Sequence, residues 1–492
     1  MTSSARKCNN NHTALAFTSF NFLIFFPLVL ILYWLTPGKY RYITLLIASY
    51  FFYINVKPVL ALVLFGVSAA AWGFALLMSG TRNEKKRRTY FLVNIIIVLL
   101  PLVFFKYFSA INNALLKYLT EIRLNWPLPE MRFILPIGIS FYTFMALGYA
   151  IDVYNDELKA EKNPGIIGLF ISFFPLILSG PIERAGNMLP QFRKAQSPDF
   201  ALIAKGLQLI LWGYFMKLVV ADRIGIYVTS VYSHVEHHNG TSLLFASMLY
   251  PFQLYADLGG YSLIAIGCSN ILGYKIIPNF NRPFFAPTMA EFWRRWHMSL
   301  ITWLTDYVYT PLSFALRKYK VWGIVCALLL TFLLSGIWHG ATMTFLMWGL
   351  MQGIFLSAEA LLNQRKSIIE KKYSLEKKRW YIVAGIVFTF LMFSSSMVFS
   401  RAATFHDAMV VYNKIFTEHG PLFVGSPSTM IYLGCGLILL LLKDFLDEFY
   451  PHKIKLFDND NTIVRTMSYS AIIIIILLIG VFDSSQFIYF QF

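Results

Sequence analysis

Cysteine is scarce in this sequence, and charge is thinly spread. The four cysteines among 492 residues, Cys8, Cys268, Cys326 and Cys435, are scattered without paired or metal-ligand spacing, which argues against a disulfide framework and a cysteine-based zinc site. Charged side chains make up only 14% of the chain, and no long polar stretch remains from which a second, soluble domain would be built. A nucleophile elbow, a phosphate-cradling glycine loop, a dinucleotide fingerprint and a His-Glu-x-x-His pair are all missing. Absent too are the alternating segments of about ten residues that mark a transmembrane barrel. No small-residue cleavage site follows the first apolar run, which therefore reads as an anchor, and no inverted repeat of the transporter kind is visible.

What is present is apolar sequence, 57% of the chain, in uncharged runs long enough to cross about 30 Å of hydrocarbon. The fold class expected is an all-α polytopic membrane protein with about twelve membrane segments plus re-entrant or interfacial helices. The segments are Phe17–Leu35, the short Ile43–Val56, Leu60–Met78, Phe91–Phe105, Phe133–Ile151, Ala201–Val220, Thr241–Ala256, two between Val321 and Leu362, Tyr381–Ser400, Thr429–Leu442 and Met467–Phe482. Asn163 to Ser179, with Pro175 in its middle, reads as re-entrant. Lys205 and Lys217 are expected near the ends of their helix, snorkelling to the interface. The net charge of +17 sits mostly in short loops, as the positive-inside rule requires, so it signals orientation and not nucleic acid. Thr81–Arg88 and Gln364–Arg379 mark the cytosolic side, and both termini are then outside. Residues 1–16 read as a disordered tail.

Ionisable groups gather in the second half, where desolvation makes them expensive and therefore the first candidates for chemistry. His339 follows Trp338 in Ser335-Gly-Ile-Trp-His-Gly340, at a break between two apolar runs. An imidazole there suits general-base or nucleophilic work on a hydroxyl; the alternative is a histidine bonded to a neighbouring helix. His297 ends Glu291-Phe-Trp-Arg-Arg-Trp-His297. On one continuous helix Trp293, Trp296, Leu300, Trp303 and Tyr307 share a face, and Glu291 pairs with Arg294 or Arg295. Such a helix either belongs to a site or lies among lipid headgroups, and its arginines suit a phosphate-bearing donor. Asp306 follows in the same aromatic run. Asp257, beside Gly259, Gly260 and Tyr261, orients a catalytic group or caps a helix. Glu183 and Arg184 pair with each other or fix the broken segment before them. His234, Glu236, His237 and His238 have ligand types but no supporting order, so no metal site is assigned.

Four motifs together resemble the membrane-bound O-acyltransferase superfamily: Glu291-Phe-Trp-Arg-Arg-Trp-His-Met-Ser-Leu300, Ser335-Gly-Ile-Trp-His-Gly340, Ser179-Gly-Pro-Ile-Glu-Arg184 and the terminal Phe487-Ile-Tyr-Phe-Gln-Phe492. Within it the chain is similar to the bacterial branch of alginate O-acetyltransferases and D-alanyl-transfer proteins. The resemblance implies one domain over 17–492, with a catalytic core about 133–362 around a central tunnel. It implies that His339 is the catalytic histidine, His297 the second histidine, and Pro251–Asp257 part of the same region. Arg294, Arg295, Trp338, Asp257, Tyr261 and Asp306 are the expected substrate-binding residues. The chain departs from relatives at Leu263, Thr305, Ser313 and Phe314. No resident cofactor is implied. The donor would be a cytosolic acyl thioester, acetyl-CoA or an acyl carrier. The acceptor would be an exported polysaccharide or a secreted SGNH-type acyltransferase, reached from a multi-pass position in the lipid of a bacterial cytoplasmic membrane. A transporter or lipid flippase using the same residues for binding only is the alternative.

Overall fold

The computed structural model describes residues 17–55, 58–122, 136–451 and 459–482, with Leu124, Pro129 and Phe457. The tail over 1–16 and the terminal Phe487–Phe492 motif lie outside the described residues. Among the described residues every regular element is a helix, because a backbone in hydrocarbon must satisfy its own hydrogen bonds. Seven of these helices have the length and apolar composition to cross a membrane: Pro58–Ser79, Glu84–Glu121, Val321–His339, Met343–Tyr373, Arg379–Arg401, Pro427–Phe449 and Thr462–Ile479. Other expected segments form shorter helices, Phe20–Leu35 with 16 residues and Arg41–Ile54 with 14. Phe20–Leu35 still leaves Leu23, Leu28, Ile31 and Leu32 on its outside, a surface suited to lipid.

Contacts divide the chain into two units, each assembled from separated stretches. The first comprises Met1–Pro101, Pro136–Leu178 and Arg184–Ser197. Inside it, the Asn163–Ser179 stretch becomes two buried helices, Pro164–Ser172 and Phe174–Ile177. At 9 residues the longer covers only about 14 Å, so neither spans alone, and the break falls at Phe173, just before Pro175. Arg193 holds Glu161 nearby, Nε to Oε2 at 2.6 Å.

The second unit comprises Leu102–Leu135, Ser179–Glu183 and Pro198–Phe492. Its centre is a helix the sequence divides in two. Instead of ending near Ala256, the helix capped by the Asn239 side chain runs Gly240–Ile271, 32 residues long and buried on nearly every face. Gly259-Gly260 is a close-packing site and not a terminus: a Cβ on Gly260 would stand 2.8 Å from the carbonyl oxygen of Gly213, so small residues let two backbones touch. Asp257 therefore sits mid-helix and caps nothing. Lys217 also differs from expectation. Phe200–Tyr214 continues through π-helical turns over Phe215–Ala221 into Asp222–Tyr232, which carries Lys217 inward until it is 1% exposed. Its Nζ donates to Asp257 Oδ1 at 2.6 Å and to Asp222 Oδ1 at 2.8 Å. Snorkelling loses to pairing because a buried ammonium is tolerable when carboxylates surround it.

The orientation has a direct test in a background without the native cysteines. Single cysteines at Lys86 and Lys372 should resist an impermeant maleimide in intact cells, while one at the exposed Ser426 should react. Labelling at Lys86 or Lys372 from outside contradicts the assignment.

Candidate active site

The expected helix through Glu291–Tyr307 is broken in the middle. Met289–Arg295 and Met298–Leu304 are separate helices, joined at His297 with φ 44° and ψ 49°. A left-handed backbone costs a non-glycine residue roughly 1–2 kcal/mol, and strain of this kind points to a residue whose placement is over-determined by its surroundings. The turn rotates the indoles inward. Trp293, Trp296 and Trp303 are all buried, so the interfacial-helix alternative fails. Trp293 packs on Phe332 with ring centroids 5.0 Å apart.

His297 is held by a node that the sequence did not reveal. Asn279 Oδ1 accepts from the backbone N–H of Ser299 at 3.3 Å and from its hydroxyl at 2.9 Å, and lies 3.1 Å from His297 Nδ1. Its Nδ2 donates to Ser262 Oγ at 3.0 Å. A backbone N–H can only donate, so the amide atom facing it is oxygen, and His297 must carry its proton on Nδ1. Nε2 is then the basic nitrogen. The segment bearing Asn279 is itself fixed: Glu183 Oε1 accepts from Ile277 N at 2.6 Å, and Met298 N donates to Asn279 O at 2.8 Å. Glu183 thus anchors the loop that bears Asn279, a role outside the two expected of it. The only sequence signal for Asn279 is an Ile-Pro-Asn turn between apolar elements.

His339 is the last residue of Val321–His339, followed by a break before Met343–Tyr373, as the sequence suggests. A helix end leaves carbonyls without intrahelical donors. Here Tyr107 donates its hydroxyl to Ile337 O at 2.5 Å and Lys106 donates to Trp338 O, a cation placed at the negative end of the helix dipole. Both come from π-helical turns over Phe104–Phe108. The imidazole rests edge-on to Trp348, centroids 4.9 Å apart, and beside Trp338 at 4.7 Å. Val321–His339 and Met343–Tyr373 cross closely, since a Cβ on Gly336 would meet Phe345 O at 2.5 Å.

His297 and His339 line one cavity of about 40 Å³, with Leu300, Trp293 and Trp348 among its walls. Tyr250 and Leu254 of the long central helix and Met397 and Ser400 of Arg379–Arg401 complete it, so the lining reaches past residue 362. The other expected site residues stand apart. Asp257 is paired with Lys217, and Tyr261 lies 5.8 Å beneath the same ammonium. Arg295 is engaged by Glu291 at 2.8 Å and Glu448 at 2.9 Å, whereas Arg294 is 74% exposed and pairs with Glu291 at 3.3 Å. Asp306 is exposed in π-helical turns over Thr305–Tyr309. Trp338 is buried behind His339 and is absent from the cavity wall. Among the described residues no group of three or more His, Cys, Asp or Glu is placed to hold a metal.

Residues 160–405, which contain the whole cavity lining, match the family model of the membrane-bound O-acyltransferase family. The chain is also 33% identical over 406 residues to a probable alginate O-acetylase of Pseudomonas syringae pv. tomato, covering 82% of this chain and 75% of the relative. The chain belongs to the membrane-bound O-acyltransferase family. This acyltransferase is 30% identical over 462 residues to a peptidoglycan O-acetyltransferase of Helicobacter pylori, covering 87% of this chain and 79% of the relative. Similarity to a teichoic acid D-alanyltransferase of Streptococcus thermophilus is 29% over 364 residues, covering 70% and 83%. These relatives place it in the bacterial branch of the family, as a multi-pass membrane enzyme. Between the two function classes left open by the residues, membership selects the acyltransferase over a transporter or flippase.

The crossing that carries His339 should tolerate no added volume. Gly336→Val should destabilise the purified protein by about 1–3 kcal/mol, the usual cost of overpacking, and lower its thermal midpoint in detergent. Gly434→Val, where a new Cβ meets nothing within 4 Å, should leave the midpoint in place. Equal effects would contradict the close crossing.

Proposed function

We propose that this acyltransferase moves a small acyl group, acetyl by preference, from a cytosolic thioester to a hydroxyl on the outer side of the membrane. The observation that carries the reading is the pair of imidazoles lining one apolar cavity, with the proton of His297 fixed on Nδ1 by Asn279. His339 removes the acceptor's hydroxyl proton as the oxygen attacks the thioester carbonyl carbon. The carbon–sulfur bond breaks, and the proton returns from His339 to the departing thiolate. Base assistance of this kind contributes about 10²–10⁴-fold. His297, whose Nε2 carries a lone pair, accepts the hydrogen bond of the attacking hydroxyl or shares its proton. An apolar cavity keeps bulk water from competing as the nucleophile.

The donor is acetyl-CoA or an acyl-carrier thioester, and the acceptor an exported polysaccharide or a secreted partner acyltransferase. The names of the relatives support a polymer acceptor, in alginate, peptidoglycan and teichoic acid, and a small transferred group, in acetyl and D-alanyl. Of the two arginines, Arg294 is the exposed one and suits a donor phosphate, while Arg295 is occupied by two carboxylates. Asp257 and Tyr261 act through Lys217 and the helix that carries it.

His339→Ala should lower acyl transfer by at least about 10²-fold with the protein level in the membrane unchanged. Asn279→Ala and His297→Ala should each lower turnover, and the double variant should lose no more than the worse single, because both act through one imidazole. Retention of more than a tenth of the product by His339→Ala removes it from the proton-transfer role. Full additivity of the second pair separates Asn279 from His297.

A further inference from the structure

Beneath the histidine cavity lies a second, larger space of about 690 Å³ between Met343–Tyr373 and Arg379–Arg401. Phe355, Leu362 and Met392 supply apolar wall with Glu359 among them, and Lys366 and Glu370 stand at the end nearest the basic segment. Both spaces follow the same helix pair. On one helix the histidine cavity reaches down to Trp348 and the larger space begins at Phe355, a rise of about 10 Å. On the other the corresponding residues are Met397 and Met392, about 8 Å apart. What separates them is a single layer.

That layer is hydrogen-bonded from side to side. Trp293 Nε1 donates to Gln352 Oε1 at 3.1 Å, and Gln352 Nε2 donates to Ser396 Oγ at 2.5 Å. Ser396 in turn donates to Phe393 O at 2.7 Å. Gln352 is fully buried, where an amide is costly unless both ends are bonded. A leucine would fill the space without that cost. What the glutamine adds is direction: it fixes the plane of the Trp293 indole, which Phe332 and Phe393 hold from the sides. The space above has room for about three water-sized groups, the size of an acetyl group.

We propose that the Trp293–Gln352–Ser396 layer is the floor of the acyl pocket and sets the length of the acyl group this enzyme transfers. The inference rests on the reading of His339 as the transfer centre. With the floor closed, a chain longer than acetyl or propionyl has nowhere to lie while its carbonyl reaches the imidazoles. With the floor opened, the histidine cavity joins the larger space, and a long apolar chain fits below.

Two measurements test this, both on the full-length protein. In the first, all native cysteines are serine and Leu300→Cys reports on the cavity, with methyl- and octyl-methanethiosulfonate as probes. The methyl reagent should label the purified protein at least about tenfold faster than the octyl reagent, a ratio in the range that one pocket methylene commands. Gln352→Ala, or the milder Ser396→Ala, should bring the two rates together. Equal rates with the layer intact, or a ratio unchanged by both variants, overturns the floor. In the second, acetyl, butyryl and octanoyl thioesters, carried on CoA and separately on an acyl carrier protein, are supplied to native membranes that hold the acceptor. Wild type should prefer acetyl on whichever carrier serves it, and Gln352→Ala should raise the octanoyl-to-acetyl ratio on the order of 10²-fold. His339→Ala runs in parallel. If it stays active, the transfer reading fails and the labelling result stands alone. If it is inactive while Gln352→Ala and Ser396→Ala keep the wild-type acyl preference, the floor fails and the transfer reading stands.

Discussion

Hydrocarbon offers a polar group no hydrogen bond, and the second unit of this protein is arranged around that restriction. Three groups of its buried polar side chains are joined by hydrogen bonds or ion pairs. Asn279 joins Ser262, Ser299 and His297; Lys217 joins Asp222 and Asp257; Gln352 joins Trp293 and Ser396. Each set ties together elements distant in sequence, so polar satisfaction and tertiary placement are the same event. Deleting one member would leave the others in an environment that cannot compensate, which makes such networks rigid.

Rigidity matters most where the backbone is interrupted. His297 occupies a left-handed turn between two short helices, and His339 ends a helix whose last carbonyls are taken by Lys106 and Tyr107. In both cases the break frees the imidazole from a continuous helical face, and side chains from elsewhere then fix it. A cavity that small, walled by indoles, holds reacting atoms close together without large motions, and proximity of that order is a main source of rate.

Much of this was legible in the sequence, because lipid-exposed helices have only one solution. Seven of the expected spans and the break after His339 follow from composition and glycine placement, whereas the Trp-rich stretch is compatible with a site or with an interfacial helix until its burial decides it. The misreadings share a cause. Asp257 beside two glycines has the local signature of a helix end, yet the glycines serve a close backbone approach to Gly213 and the acid serves Lys217, 40 residues away in sequence. Arg294 and Arg295 look equivalent on paper; only Glu448, far along the chain, distinguishes them. The periodicity of Trp293, Trp296, Leu300 and Trp303 fits one helix, and the left-handed turn at His297 is dictated by Asn279, a residue with no motif of its own. Long-range partners, and not local propensity, decide those positions.

The central claim is that the His297–His339 cavity is where the acyl carbonyl sits. The most direct test is a structure of the protein in lipid nanodiscs with a non-transferable thioether analogue of acetyl-CoA, in which a methylene separates sulfur from the carbonyl. The carbonyl carbon should lie in the cavity bounded by Trp293, Leu300 and Trp348, within reach of both imidazoles. An analogue bound with its acyl end elsewhere, and the cavity left without it, would contradict the account.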